Sequence, residues 1–511
     1  MEKPNEMEDE EMKRFFLVFF IGLIVAFLAT SAYAQKPVYG RSLMIAQGVE
    51  PPGLDPTTAT STAIPRVVYS NVLEGLLKID RSGKIVLALA KDYKISKDGK
   101  EYTFILKKGV KFHDGKPFDA EDVKFTFERL MDVQKTGAVH PEYYKDIDLV
   151  QVIDSHTVKI KLKNVNSMFL FNLARGDSII VNKQAVDRLK NAPVGTGPFK
   201  FVEWVRGDHV TLAKFEDYHR KGIPYLDKVT FKFIGDPSAQ IASLKAGDID
   251  VIAYDVSPEN ALLLEKDPRF RVFNGYTTTK VILSTNNSRK PFNDVRVRRA
   301  MAYAIDRSAL IKGAMSGYGI PIGSHMDPGN PYYIDLTSVY TYNPQRAKQL
   351  LTDAGYPNGF EAVIKLPERY AYAKRTGEVI TDMFSQVGIK LKIELIEWGQ
   401  WIDRVFNNAD YDLTVIGHAE PFDINIYANP NYYFRYNSPK FQEILKKTER
   451  ETDPKVRKGL YIACQKIITE DAANGFLYVL PSLPTMKKGV MNWWKDYPMT
   501  VADVTEVWIQ K

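Results

Sequence analysis

The order of elements written into this chain predicts an α/β fold, and three stretches carry that reading. Residues 111–131 spell a strand end, a tight turn and a capped helix. Residues 236–253 repeat the grammar with a capped helix followed by a buried strand, and residues 376–416 alternate helix, strand, helix, strand. With 511 residues the chain is long enough for two or more folding units with ample core. No fixed-period repeat and no low-complexity tract interrupts it.

At the N-terminus, Lys13-Arg14 precede an apolar run over 15–29 and then Ala32-Tyr33-Ala34. This is the order of a secretory signal peptide, with cleavage expected after Ala34. The run is about 15 residues, shorter than the roughly 18 a spanning helix needs. The segment before Met12 is acidic and unlike a signal n-region, so Met12 is read as the initiator. Cys464 is the only cysteine and lies in an apolar helical pattern, which predicts a buried thiol, no lipid-modifiable Cys near the cleavage site and no internal disulfide. Removing residues 1–34 takes away three basic and six acidic residues and leaves 66 Lys+Arg against 56 Asp+Glu. The basic residues are scattered among acids, so no nucleic-acid footprint is visible.

The mature sequence opens with a strand over 42–48, a loop rich in turn residues and an amphipathic helix expected over 64–77. Strands follow at 102–106 and 157–162, the second alternating Val158, Ile160 and Leu162. Between them, His113-Asp114-Gly115-Lys116-Pro117 is turn chemistry. Asp119 then caps a helix whose apolar face is Val123, Phe127, Leu130 and Met131, with Glu121 and Asp122 complementing its dipole. Residues 194–199 read Val-Gly-Thr-Gly-Pro-Phe; the spacing of a phosphate loop is absent, and Pro198 has no amide N–H to offer. Asp236 caps a helix over 238–245 that Gly247 ends, and 249–253 is a buried strand. Residues 274–287 read as polar and irregular. A helix then begins within 291–307, with Asn293 as its cap and Val297, Ala300, Met301, Ala304 and Ile305 as its apolar face. Asn343-Pro344 open another helix that stops at Gly355. A helix over 376–386, a strand over 389–396, a helix near 401–406 and a strand over 413–416 complete the pattern.

Several of these segments carry a resemblance. FHDGKPFDAEDVKFTFER, VGTGPFKFVEW, FEDYHRKGIPYLDKVTFKFI, SLKAGDIDV, PFNDVRVRRAMAYAIDR and TYNPQRAKQLLTDAGYPNG closely resemble, in order, motifs of family 5 extracellular solute-binding proteins. These are the dipeptide, oligopeptide and nickel receptors of bacterial ABC importers, and the resemblance spans essentially all of the mature chain. It implies a periplasmic-binding-protein-like architecture: two α/β lobes joined by a hinge, with a ligand cleft between them. Lobe I is expected over 35–280, lobe II over 281–478 and a C-terminal return to lobe I over 479–511, with chain crossings near 275–287 and 474–484. It further implies a periplasmic receptor, without enzymatic activity or cofactor, acting as a monomer. Its partners would be a small-molecule or peptide ligand and the permease and ATPase subunits of an importer, with peptide the leading ligand class and an oligosaccharide or another amine- or carboxylate-bearing solute the alternative. A signalling receptor or peptide-binding chaperone on the same fold is not separated from this by sequence.

No catalytic constellation competes with that reading. The histidines at 113, 140, 156, 209, 219, 325 and 418 include no pair at helical i, i+4 spacing, and neither a Gly-x-Ser-x-Gly elbow nor an EF-hand loop is present. An exported hydrolase is the alternative from another class. In peptide-binding members of the family a strand ends in Trp, an Asp three residues later anchors the peptide amine, and a Pro follows. Here the region is YDLTVIGHAEPFDINIYA, residues 411–428, with His418 where the Trp would be, and neither register reproduces the pattern. Glu420 and Asp423 are the two candidate acidic anchors; the plainer reading has Asp423 turning the loop and Glu420 in solvent. Arg369 falls about two positions from where dipeptide receptors place an Arg for the ligand carboxylate, a role its planar guanidinium suits. Trp398, Trp401, Tyr427, Tyr432, Tyr433, Phe434 and Tyr436 line either the core or the cleft, and His418 either meets ligand or satisfies a strand end. No metal site can be assembled from the order of residues.

Overall fold

The computed structural model describes residues 36–59, 61–254, 256–499 and 501–510. The expected signal segment, with its Met12 initiator and cleavage site, lies outside the described residues. Among the described residues no helix is long and apolar enough to cross a membrane.

The stretch 111–131 folds as its chemistry dictates. Gly115 takes φ +84°, Lys111 bridges to Pro117 across the turn, and the helix runs Ala120–Met131. Asp119 accepts from the amides of Glu121 and Asp122, while the Asp122 carboxylate accepts from the Asp119 amide, closing a capping box. Val123, Phe127 and Leu130 are buried and Met131 is half-buried. They pack with Phe104, Leu106, Val158 and Ile160 of a four-stranded antiparallel sheet in the order Ala90–Ile95, Glu101–Leu106, Thr157–Leu162, Ile147–Asp154.

Two larger sheets organise the rest. The first has seven strands in the order Phe270–Val272, Thr485–Lys487, Val251–Ile252, Ser42–Gln47, Lys228–Phe233, His209–Lys214, Phe199–Val205. The second has six, in the order Ile320–Pro321, Gly475–Ser482, Gly275–Thr285, Leu413–His418, Phe360–Pro367, Ile389–Ile396. The chain passes from the first to the second between Val272 and Gly275 and returns between Ser482 and Thr485. The two passages touch, the Phe273 amide donating to the Pro484 carbonyl at 3.0 Å. After the return, Val490, Trp493, Trp494, Val504 and Val507 enter the core formed by Leu43, Ile45, Val229 and Phe231 of the seven-stranded sheet. Cys464 is buried in the Pro454–Glu470 helix behind the six-stranded sheet.

Three local expectations are corrected. The helix over 64–77 ends early, at Val68, after which Ser70 takes φ +60° and Leu77 begins a strand. Tertiary partners override the helical pattern there: Glu74 is buried and held by Thr196, Tyr218 and His219. Segment 194–199 packs its backbone against the same turn, and a Cβ on Gly195 would lie 1.9 Å from the Val72 carbonyl, which explains the glycine without any ligand. Residues 274–287, read as irregular, contain the 11-residue strand Gly275–Thr285, central to its sheet. Its threonines, Val281 and Ile282 suit a pleated surface, and polar groups as deep as Lys280 and Ser284 find partners inside. The cap of the Val295–Tyr303 helix is Asp294, which accepts from the Arg296 amide at 2.8 Å; Asn293 instead donates its own amide to Arg289 and closes the preceding turn. The expected apolar face of that helix is buried throughout.

Candidate functional site

The site grows from strand pairing. Gly275–Thr285 and Leu413–His418 run antiparallel with Lys280 opposite His418. Beyond His418 the chain leaves the sheet, and side chains of the same half hold its loop: Thr278 Oγ1 donates to the Ala419 carbonyl at 2.7 Å, Asn330 Nδ2 to the Pro421 carbonyl at 3.0 Å, and Lys280 Nζ to the Glu420 carbonyl. A turn of helix over Asp423–Ala428 follows. Asp423 thereby comes within 2.8 Å of Lys280 Nζ, whose side chain is fully buried. His325 Nε2 lies 3.1 Å from Asp423 Oδ1, and His418 Nδ1 lies 3.4 Å from Asp423 Oδ2. Behind them Tyr427 Oη meets His325 Nδ1 at 3.1 Å and accepts from Asn474 Nδ2 at 2.9 Å, and His418 Nε2 meets Tyr433 Oη at 3.0 Å.

Burial opposes ionisation of Asp423, but Lys280 and the two histidines outweigh it and hold its carboxyl well below the usual range. Burial drives His325 down to about 4, despite the pull of Asp423, so its imidazole is neutral at neutral pH. Burial lifts the neighbouring Asp327 to about 6, with Lys280 pulling the other way. The donor atoms of His325, His418 and Asp423 all lie within 4.8 Å of one another, a trio able to hold a cation. Residue order alone did not assemble it. The Lys280 ammonium already stands against Asp423, so the donor set fits an internal cation rather than a bound metal.

Two cavities meet at this loop. One, of about 560 Å³, is walled by Tyr370, Tyr372, Trp398, Trp401, Phe406, Tyr432 and Tyr433, with Thr279, His418, Glu420 and Asp423 at its polar end. Trp398 and Trp401 stack with centroids 5.0 Å apart and planes 6° from parallel, and Trp401 donates Nε1–H to Thr414 Oγ1 at 3.0 Å. The exposed Arg369 places its guanidinium 5.7 Å from the Trp398 ring and 5.2 Å from that of Tyr370. The other cavity, of about 440 Å³, lies between the two halves, with Tyr143, Met168, Phe171, Asn172 and Arg175 on one side and Glu420, Phe422, Asp423 and Asn425 on the other. Arg175 pairs with Glu420 at 3.2 Å and lies 4.2 Å over the Tyr143 ring, and Phe171 meets Phe422 edge-on at 4.4 Å. A third pocket, of about 390 Å³, lies wholly in the first half, where Lys78, Arg81, Lys107 and Arg220 are balanced by Glu74, Asp80, Asp503 and Glu506 and Trp494 is the aromatic residue in the lining.

The structure therefore gathers His418, Glu420, Asp423, Trp398 and Trp401 around one cavity and adds Tyr432 and Tyr433; Arg369 is outside the lining, next to Trp398 and Tyr370 of its wall. It separates Tyr427, Phe434 and Tyr436, which are core: Tyr427 reaches the site through its hydrogen bond with His325. Sequence reasoning missed Lys280, His325, Tyr370, Tyr372 and Arg175. A lysine inside the β-branched run TTTKVILST was the one available signal, since a buried cation needs an anion.

The Arg175–Glu420 pair predicts a conformational effect. Glu420→Gln is expected to change stability by less than about 1 kcal/mol, because Glu420 is 60% exposed. The variant should populate a more open arrangement of the two halves without ligand, measured as a larger radius of gyration in solution scattering.

Two sheet-and-helix halves, linked by two adjacent chain passages, with a cavity between them and an aromatic one beside it in the six-stranded half, define the class of solute-binding proteins. The family model described as bacterial extracellular solute-binding proteins, family 5 Middle, matches residues 84–440, and the chain belongs to that family. The glutathione-binding protein GsiB of Pectobacterium atrosepticum is 34% identical over 385 residues, 74% of this chain and 74% of that protein. The structure of AgaA from A. tumefaciens R10, in complex with agropinic acid, is similar with a TM-score of 0.72 and 30% identity, over 92% of this chain and 99% of its own. DppA from Helicobacter pylori, in complex with the peptide STSA, gives a TM-score of 0.73 at 28% identity, over 93% and 99%.

Proposed function

We propose that this chain is the solute-capturing component of an ABC importer, closing its two halves on a small solute and presenting the closed form to a permease driven by ATPase subunits. It carries out no chemistry on the solute, needs no cofactor, and acts as a monomer in the periplasm after a signal peptide is cleaved. The observation that carries this reading is the loop Ala419–Asp423, anchored in the six-stranded half and reaching Arg175 and Phe171 of the other half between two cavities. That is the arrangement a hinge-closing receptor requires. The strands Gly275–Thr285 and Gly475–Ser482 belong wholly to the six-stranded sheet, which supports lobe boundaries at 273–274 and 483–484 rather than at 280 and 478.

The solute is a peptide or a compound of similar size that places apolar or ring groups against the Trp398 wall. His418, Glu420, Asp423, Trp398 and Trp401 face it, and Arg369 offers a guanidinium to a carboxylate. A non-peptide carboxylate, the second reading, is favoured by the same Arg369, which has no carboxylate partner among the described residues. A thermal-shift panel of glutathione, di- and oligopeptides, oligosaccharides, opines and metal ions tests this. A true ligand at about 100 times its Kd adds roughly 2.7 kcal/mol and raises the Tm visibly. A shift by sugars alone overturns the peptide reading, and no shift by any member overturns the receptor reading.

A further inference from the structure

We propose, on the basis of the receptor reading above, that the aromatic cavity takes a ring-bearing anion without an ammonium group at its Asp423 end, because Lys280 fills the place such a group would need. A buried carboxylate must keep a cation or give up its charge. Asp423 is such a carboxylate and has its cation inside the protein, whereas Glu420, the other acid lining the cavity, is 60% exposed and paired across the two halves. Glu420 faces Arg175 at 3.2 Å, and Asp423 faces Lys280 at 2.8 Å. The lysine is fully buried in the middle of a central strand and its ammonium also donates to the Glu420 carbonyl, so it has no route to solvent by a change of rotamer alone. A ligand ammonium arriving at Asp423 would either lie against a like charge or strand Lys280 without its anion. Both are costly where water is excluded.

The positive charges around the cavity are in the opposite position. Arg369 lies 5.7 Å from the Trp398 ring and 5.2 Å from that of Tyr370, exposed and with no carboxylate partner among the described residues. A ligand carboxylate there gains a guanidinium that nothing else occupies. Lys280 is thus a specificity-determining residue: it turns an acidic subsite into a neutral one and leaves Arg369, beside the wall, as the charged end of the site.

The test compares two probes, Trp-Gly and N-acetyl-Trp-Gly, by titration calorimetry on the mature chain. The wild type is expected to bind the acetylated probe at least tenfold more tightly than the free amine. Lys280→Gln exposes Asp423 to the ligand and should reverse that order. The double variant Lys280→Gln/Asp423→Asn, which removes both charges of the pair and guards against a single variant that fails to fold, should bind the two probes alike. Equal or tighter binding of Trp-Gly by the wild type overturns the proposal, and so does a ratio unchanged in both variants. Binding of neither probe while another panel member shifts the Tm overturns this inference alone and leaves the receptor reading standing.

Discussion

Asp423→Asn is expected to destabilise the ligand-free protein by about 3–5 kcal/mol, the usual cost of breaking a buried ion pair from one side. The lysine left behind is fully buried and, among the described residues, keeps the Glu420 carbonyl as its one hydrogen-bond acceptor. Replacing both partners, as in Lys280→Met/Asp423→Leu, should recover much of the loss, because it removes the stranded charge with the pair. Denaturant midpoints of the three proteins measure this, and a single variant within 1 kcal/mol of wild type would show that Lys280 escapes to water.

The same cluster sets an acid limit on stability. The folded pKa of Asp423 lies below its unfolded value, so its contribution is complete above about pH 4 and is lost as pH falls through the lower folded value. His325 has a folded value of about 4 against about 6.5 unfolded. The unfolded chain takes up a proton first, and stability falls between those two values. Asp327 runs the other way: its folded value of about 6 lies above the unfolded one, so the native state gains a proton, and stability, over much of the same window. The wild-type profile should therefore be shallow from neutral pH to about pH 4 and steep below it.

What was legible in the sequence was whatever local chemistry decides. Asp119, Gly115 and Pro117 carry their structural instructions within a few residues, and the strands Thr157–Leu162 and Ile389–Ile396 declare themselves by alternation. The candidate site was legible in part for the same reason: HAEPFD marks a loop leaving a strand with two acids and a histidine on it, and the Trp pair lies just upstream. The partners that give those residues their electrostatic state were not. Lys280, His325 and Arg175 are brought to Asp423 and Glu420 by sheet register and by the approach of the two halves, neither of which any local window contains. The strand holding Lys280 was missed because threonines and a lysine read as polar surface, whereas in the centre of a six-stranded sheet they are interior. Whether Tyr427 lines the core or the cleft stayed open for the converse reason: an aromatic stripe has two sides, and only packing tells which one faces the core.

Trp398→Ala and Trp401→Ala should separate binding from stability, although the two rings stack on each other. Trp401 is 3% exposed and its indole N–H is used by Thr414, so truncation leaves a cavity and an unpaired hydroxyl and should cost about 3–5 kcal/mol of stability. Trp398 is half-buried, lines the cavity and has the Arg369 guanidinium 5.7 Å from its ring. Its removal should cost about 1 kcal/mol of stability, through partial loss of buried apolar area. It should weaken the ligand identified by the thermal-shift panel by about 2 kcal/mol or more, some thirtyfold in Kd, as the loss of a central aromatic contact typically does. A Trp398→Ala protein with unchanged Kd would place the ligand in the cavity between the halves, against Phe171 and Asn172, and leave the Trp398 wall as core.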